Sequence, residues 1–142
     1  MKRLLTTILT FALLIGSTSI ALSGWFTANQ ATVSWNPVTM TTSDTPIPPE
    51  EISYKVFLSN ATTDPNKTSP AEIASTPDSS CIITLNVEGR FYVGVQAIRT
   101  VDSEIVGQSV VSWSDDPLVV ETTTFGLRYF IPPGQAKKLK IG

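Results

Sequence analysis

The feature that most constrains the fold is an alternation of apolar and polar residues with a period of two. Four runs show it, and they are rich in β-branched and aromatic side chains: residues 31–35, 52–58, 81–85 and 91–97. A weaker fifth run covers residues 109–113. Because side chains along a strand point alternately to its two faces, this pattern predicts half-buried strands. After residue 23 no stretch keeps the 3.6-residue apolar period of an amphipathic helix.

The segments between these runs are rich in turn-forming residues. Asn36-Pro37 ends the first run, residues 38–51 are rich in Thr, Ser and Pro, and residues 60–70 are polar. A parallel sheet would need helical crossovers of about a dozen residues, and the pattern contains none. The sequence therefore predicts an all-β fold, an antiparallel β-sandwich. Two segments compete for its last strand, residues 109–113 and residues 118–123.

The first 23 residues have the layout of a secretory signal peptide. Lys2 and Arg3 precede an apolar stretch over residues 4–15, and small residues suited to cleavage after Ala21 or after Ser23 follow. Thr and Ser residues dilute the apolar run, which disfavours the alternative of an uncleaved membrane anchor. Cleavage after Ser23 leaves 119 of the 142 residues and, by removing Lys2 and Arg3, changes the formal net charge from −2 to −4. We expect a secreted or periplasmic protein without stable membrane insertion.

The composition argues against several classes of function. There is no His, which removes the residue that most zinc sites and Ser-His or Cys-His catalytic arrangements use. There is no basic excess to neutralise the phosphates of a nucleic acid. Cys81 is the single Cys, and it shares strand parity with Ile83 and Leu85, so we expect a buried, inert thiol rather than a reactive one. No cofactor, metal or catalytic residue is predicted.

Two acidic pairs could carry chemistry. Asp115-Asp116 could supply half of a calcium site, but no further carboxylate is near in sequence, so a turn is the favoured interpretation. Glu50-Glu51 could mimic an acid/base pair. Glycosidic carboxylates, however, face each other across a substrate, and neighbouring residues of a Pro-rich loop do not.

The order of the runs resembles a fibronectin type III domain over roughly residues 25–117. The motifs that carry the resemblance are Ala-Thr-Val-Ser-Trp-Asn-Pro at 31–37, Tyr-Lys-Val-Phe at 54–57, and Leu85, Gly89 and Phe-Tyr-Val-Gly-Val-Gln-Ala at 91–97. The resemblance implies that these segments are strands B, C and F, with Trp35 in the core. It also implies a corner Tyr where this chain has Phe91, unless Tyr92 takes that role in a shifted register. The domain boundaries we expect are 1–23, 24–117 and 118–142.

The C-terminal extension, residues 118–142, contains two short apolar pieces and a basic end with Lys137, Lys138 and Lys140. The extension is either an extra strand on the sandwich or an exposed segment that pairs with a partner. Aromatic residues beside Arg are common anchors at interfaces, so Arg128, Tyr129 and Phe130 are the candidate partner contacts.

The leading hypothesis for function is an exported, non-enzymatic module that binds another envelope or extracellular protein or has a structural role in a bacterial cell envelope. Recognition would use the B–C and F–G loops, the latter at residues 100–108, or an open sheet edge. A second hypothesis is a carbohydrate-binding accessory protein or small hydrolase, in which Trp25, Trp35 and Trp113 stack on sugars. A third is a subunit of a surface filament whose C-terminal extension enters a neighbouring subunit.

Overall fold

The structure is a computed structural model that describes residues 12–14, 24–121 and 123–142. Apart from residues 12–14, the predicted signal peptide and its two cleavage sites lie outside the described residues. The described chain is an all-β sandwich of two sheets, as the alternation predicts.

Strands account for nearly all of the regular structure. In chain order they are β1 (Ala12–Leu14), β2 (Trp25–Thr27), β3 (Gln30–Ser34), β4 (Ile52–Asn60), β5 (Ala71–Thr76), β6 (Ser80–Thr84), β7 (Gly89–Val101), β8 (Glu104–Gln108), β9 (Ser112–Trp113) and β10 (Gly126–Tyr129). A single turn of 3₁₀-helix, Pro49–Glu51, precedes β4.

The two sheets differ in size. The smaller has the order β1-β3-β6 and is antiparallel throughout. The larger has the order β2-β10-β7-β4-β5, with β8 and β9 also paired to β7. Its centre is the antiparallel ladder between β4 and β7, which runs from Ile52 opposite Arg99 to Asn60 opposite Phe91. The predicted strands of residues 31–35, 52–58, 81–85 and 91–97 thus correspond to β3, β4, β6 and β7.

One edge of β7 pairs with β4, and three strands share the opposite edge. Its start pairs with β10, its middle with β9 and its end with β8. Ser114, which is fully buried, joins them: its Oγ accepts the Val93 N–H at 3.0 Å, and its carbonyl accepts the Phe125 N–H at 2.9 Å. β10 also pairs with β2, and this pair is parallel, so the larger sheet is mixed rather than wholly antiparallel.

The core lies where the alternation places it, between the two sheets. Its members include the inward-facing residues Ala31, Val33, Trp35, Ile52, Tyr54, Val56, Ile83, Leu85, Val93, Val95 and Ala97. The Trp35 and Tyr54 rings meet edge to face with centroids 5.2 Å apart. The Tyr54 hydroxyl accepts the Val38 N–H at 2.8 Å, which fastens the long Pro-rich connection to the core. Burial raises the pKa of Tyr54, and the Val38 hydrogen bond partly offsets this effect.

At the end of the sandwich one open alternative is decided and one expectation is wrong. Of the two segments that compete for the last strand, residues 109–113 contain the two-residue strand β9, and residues 118–121 form no strand. Residues 118–121 form a turn instead of a strand, because the Asp116 carbonyl accepts the N–H groups of Val119 and Val120. Residues 100–108, which we expected to be a recognition loop, form the β7–β8 hairpin. Its two central residues, Asp102 and Ser103, have φ of 50° and 66°, as a type I′ hairpin turn requires.

Substitutions of Trp35 test the contribution of core packing to stability. Trp35→Ala should lower the free energy of unfolding by about 3–5 kcal/mol, because a large aromatic side chain leaves a cavity between the sheets. Trp35→Phe should cost clearly less, since Nε1 is buried without a hydrogen-bond partner and its loss breaks no bond. Urea unfolding followed by circular dichroism measures both. Equal losses for the two variants would contradict this account of the core.

Candidate partner-binding surface

The structure separates the three predicted contact residues. Arg128 is engaged within the sheet, where its Nε and Nη2 donate to Thr27 Oγ1 at 3.1 and 2.9 Å. Tyr129 is half-buried and packs against the core. Phe130 is 51% exposed and directly follows β10. Of the three, Phe130 is therefore the residue presented to solvent, while the other two hold the strand in place.

β10 is firmly seated in the larger sheet. Leu127 is buried, as is Phe125 just before the strand, and the rings of Phe125 and Phe26 pack edge to face at 6.2 Å. Gly126 lies directly against the ring of Trp25, so that a Cβ at this position would collide with the indole. The extra-strand interpretation of the C-terminal extension therefore describes residues 126–129.

Residues 130–142, hereafter the C-terminal segment, are exposed throughout. Four apolar side chains lie in water here: Phe130, Ile131, Leu139 and Ile141, the last two 86% and 104% exposed. At the base of the segment the Ile131 N–H donates to Glu88 Oε1 at 2.6 Å, and Pro132-Pro133 follows. The segment therefore continues from a strand paired on both edges as an exposed apolar and basic chain.

The charge of the molecule is divided between body and segment. The C-terminal segment carries three lysines and no acidic residue, whereas residues 24–129 carry five basic and twelve acidic residues. The segment is thus attracted to acidic protein surfaces, and the body of this protein is itself such a surface.

A stack of aromatic rings and cations lies beside the start of β10. Arg90 lies over the ring of Trp25 at 5.9 Å, and the Trp25 and Tyr92 ring centroids are 5.4 Å apart. Lys67 Nζ lies 5.1 Å from the Tyr92 ring centroid and 5.7 Å from that of Trp113. Lys67 also forms a 2.7 Å ion pair with Asp115. The stack joins the β4–β5 loop to β7, β9 and β2.

This stack weakens the case for sugar binding. The sequence offers Trp25, Trp35 and Trp113 for stacking on carbohydrate. Trp35 is buried in the core, and cations of the chain itself lie over the rings of the other two. A shallow pocket of about 160 Å³ opens between Trp25, Tyr92, Asp115 and Phe125. One of its atoms, Asp115 Oδ1, is buried without a hydrogen-bond partner.

Three of the four residues in the two acidic pairs make structural contacts. Asp115 pairs with Lys67, and Asp116 Oδ1 accepts the Leu118 N–H at 2.9 Å, which supports the turn interpretation. Glu51 binds Arg99 Nε at 2.8 Å, while Glu50 is exposed on the 3₁₀-helix. Within residues 24–121 and 123–142, no group of three or more His, Cys, Asp or Glu side chains is placed to hold a metal ion.

Cys81 is half-buried against the core, and its Sγ lies 3.5 Å from the Ile82 carbonyl oxygen. Burial raises the pKa of the thiol, which disfavours the reactive thiolate. In the part of the chain that the structure describes, no helix is long and apolar enough to span a bilayer.

Asp64 is a structurally important residue that sequence reasoning missed. Its Oδ1 accepts the Thr68 N–H and hydroxyl at 2.9 and 2.7 Å, and its Oδ2 accepts the Ser69 N–H at 2.9 Å. These bonds, the one from Ser69 foremost, hold the pKa of Asp64 below its usual range. The carboxylate thereby shapes the loop that carries Lys67 into the stack. Asp followed by Pro and, four residues on, Thr is the local signal that could have identified it.

The sequence was also compared with known proteins. No protein-family model matches it, and no curated protein does.

Acidic pH should reduce the stabilisation that the Asp64 carboxylate gives to the β4–β5 loop. Because the pKa of Asp64 is lower in the folded state, its stabilisation is fully present above the unfolded pKa, about 3.9, and is lost as the pH falls through the folded value. Asp64→Asn should therefore be less stable than wild type at pH 6, and the difference should shrink below about pH 4. Urea midpoints measured from pH 6 to pH 2.5 test this, with Asp78→Asn as the control for the loss of one surface charge. A difference that stays constant down to pH 2.5 would contradict it.

Proposed function

We propose that this protein is an exported, non-enzymatic β-sandwich module of the fibronectin type III kind, which binds another protein of the cell envelope or the extracellular space. The observation that carries the proposal is the C-terminal segment. It is exposed, apolar and basic, and it is anchored at its base to β10, which lies between β2 and β7 in the larger sheet.

The strand arrangement supports assignment to this kind of domain. A three-stranded sheet built on β3 faces a sheet centred on β7 and β4, as in such sandwiches. Trp35 fills the core against Tyr54, and Phe91 packs against the core at the position where the family has its corner Tyr. Tyr92 stacks on Trp25 instead, which supports the register in which Phe91 takes the corner position.

The composition of the C-terminal segment indicates its partner. Short extended segments bind by adding a strand to a sheet edge or by placing alternate side chains in pockets. Leu139 and Ile141 supply two such side chains, two residues apart, and lysines flank them. The partner surface is therefore apolar at its centre and acidic around it. Attraction between opposite charges speeds the encounter, and burial of the apolar side chains sets its lifetime.

Processing of the N-terminus is the first test. Ala21 belongs to both candidate cleavage patterns, as the last residue of one and the third from last of the other. Protein recovered from the periplasm or medium of the producing cells should begin at residue 22 or 24, as intact mass would show. Ala21→Leu should leave the 142-residue precursor uncut, because both sites need a small side chain there. Ser17→Leu is the matched control. Exported protein that still begins at Met1 would refute the cleavage, and protein found only in the cytoplasm would refute the export proposal.

The binding role is tested by photo-crosslinking in the native host. A photoreactive amino acid at Phe130 should give a discrete crosslinked product, whereas one at Val87, which is more exposed and lies on the body, should not. Leu139→Asp/Ile141→Asp should reduce that product at least tenfold, because it places charges in an apolar contact. Replacing Lys137, Lys138 and Lys140 by Gln should weaken it mainly at low salt, and Lys55→Gln is the control. A product unchanged in all these variants would refute this role of the segment.

A further inference from the structure

The outer edge of β3 is covered by a strand that the mature protein would lack. β1 pairs antiparallel with β3 there, with Ala12 opposite Ser34 and Leu14 opposite Thr32. β6 occupies the other edge of β3. Because β1 falls inside the predicted signal peptide, cleavage after Ala21 or Ser23 removes it and uncovers this edge of the smaller sheet.

An uncovered β3 would be a favourable acceptor for another strand. Backbone N–H and C=O groups that β1 had paired are left open, and such edges act as templates for strand addition. β3 is also a core strand, since Ala31 is 8% and Val33 0% exposed, so a strand added beside it gains access to the rim of the core. By contrast, β8 has an exposed outer edge but no buried residue.

The end of the C-terminal segment has the pattern that such an edge requires. Residues 138–141 read Lys-Leu-Lys-Ile, a period-two alternation of apolar and charged residues. In a strand beside β3, Leu139 and Ile141 would share the inner face with Ala31 and Val33, and Lys140 would lie with Thr32 on the outer face. In the structure this stretch forms no strand and is exposed.

We propose that, after removal of residues 1–23, residues 137–141 of one copy pair with the β3 edge of a second copy, so that β1 acts as a temporary cover before export. This inference rests on the proposed export and on the proposed binding role of the C-terminal segment, and it names the partner as the protein itself. Donor and acceptor are different surfaces, so the contact is heterologous and each copy can both give and receive a strand. Copies would join head to tail.

The course of the segment favours a second copy over its own β3, and its charge favours this protein as the partner. The base of the segment is held by Glu88 and continues into Pro132-Pro133, which favours a stiff, extended chain leading away from the body. The segment also carries three lysines with no acid, whereas residues 24–129 hold seven more acidic than basic residues. Copies of the mature chain therefore attract each other tail to body, although each has a net negative charge.

Disulfide trapping tests the register directly. In a Cys81→Ala background, one tagged copy carries Thr32→Cys and a differently tagged copy carries Lys140→Cys, both exported and processed from the full chain. Directly opposite residues in paired strands are close enough for a disulfide, so mixing the two under mild oxidation should give a heterodimer.

Thr84→Cys in place of Thr32→Cys is the matched control. It lies on the same outer face, one strand further away, and should trap at least tenfold less. Leu139→Cys, of opposite parity, should also trap at least tenfold less.

The cover role of β1 is tested with the uncut precursor. Ala21→Leu precursor carrying Thr32→Cys should trap at least tenfold less with a processed Lys140→Cys copy than processed Thr32→Cys does. Equal trapping by precursor and processed protein would overturn the cover role.

The remaining outcomes separate the two proposals. A chain carrying both Thr32→Cys and Lys140→Cys that forms only an internal disulfide at micromolar concentration would overturn the second copy as partner. If trapping fails in every pair while Leu139→Asp/Ile141→Asp still abolishes the Phe130 crosslink, the segment binds a different protein and only this inference fails. If neither trapping nor the Phe130 crosslink occurs, the proposed function fails as well.

Discussion

The whole molecule depends on the packing of β3 against the β4–β7 ladder. Val33, Val56 and Val93 are fully buried at this contact, and Trp35 and Tyr54 close one end of it. The other strands are attached to this centre: β6 to β3, β5 to β4, and β8, β9 and β10 to successive parts of β7. Hydrophobic burial between two alternating faces thus stabilises the sandwich without a disulfide, since the chain has a single Cys.

The strands that bury one face could be predicted from the sequence, and those that bury little could not. β3, β4, β6 and β7 alternate clearly because one face of each contributes to the core. β8 is exposed at every residue, so no burial pattern marks it, and its position follows from the turn at Asp102-Ser103 and pairing with β7. β5 is also largely exposed and is held mainly by backbone pairing with β4. Residues 118–121 have the apolar content of a strand, but hydrogen bonds to Asp116 fold them into a turn.

The candidate surface was predictable only in part, because its geometry depends on contacts distant in sequence. Arg128, Tyr129 and Phe130 are adjacent in the chain, yet pairing with β2 and β7 directs the first two into structural contacts and leaves Phe130 exposed. Lys67 reaches Tyr92, Trp113 and Asp115 through a loop that Asp64 shapes, and no local pattern specifies those encounters. The exposed C-terminal segment, by contrast, could be located from composition, because its lysines and paired prolines do not suit a core.

The parallel pairing of β2 with β10 has a mechanical consequence. The two strands run in the same direction, with Trp25 opposite Gly126 and Thr27 opposite Arg128. A pull on the chain before β2 and on the chain after β10 therefore acts in opposite directions along the two strands. Such tension loads their hydrogen bonds together, in shear, instead of opening them one at a time from an end. Force transmitted from one terminus of the domain to the other would thus meet its resistance in a pair of short strands buttressed by β7.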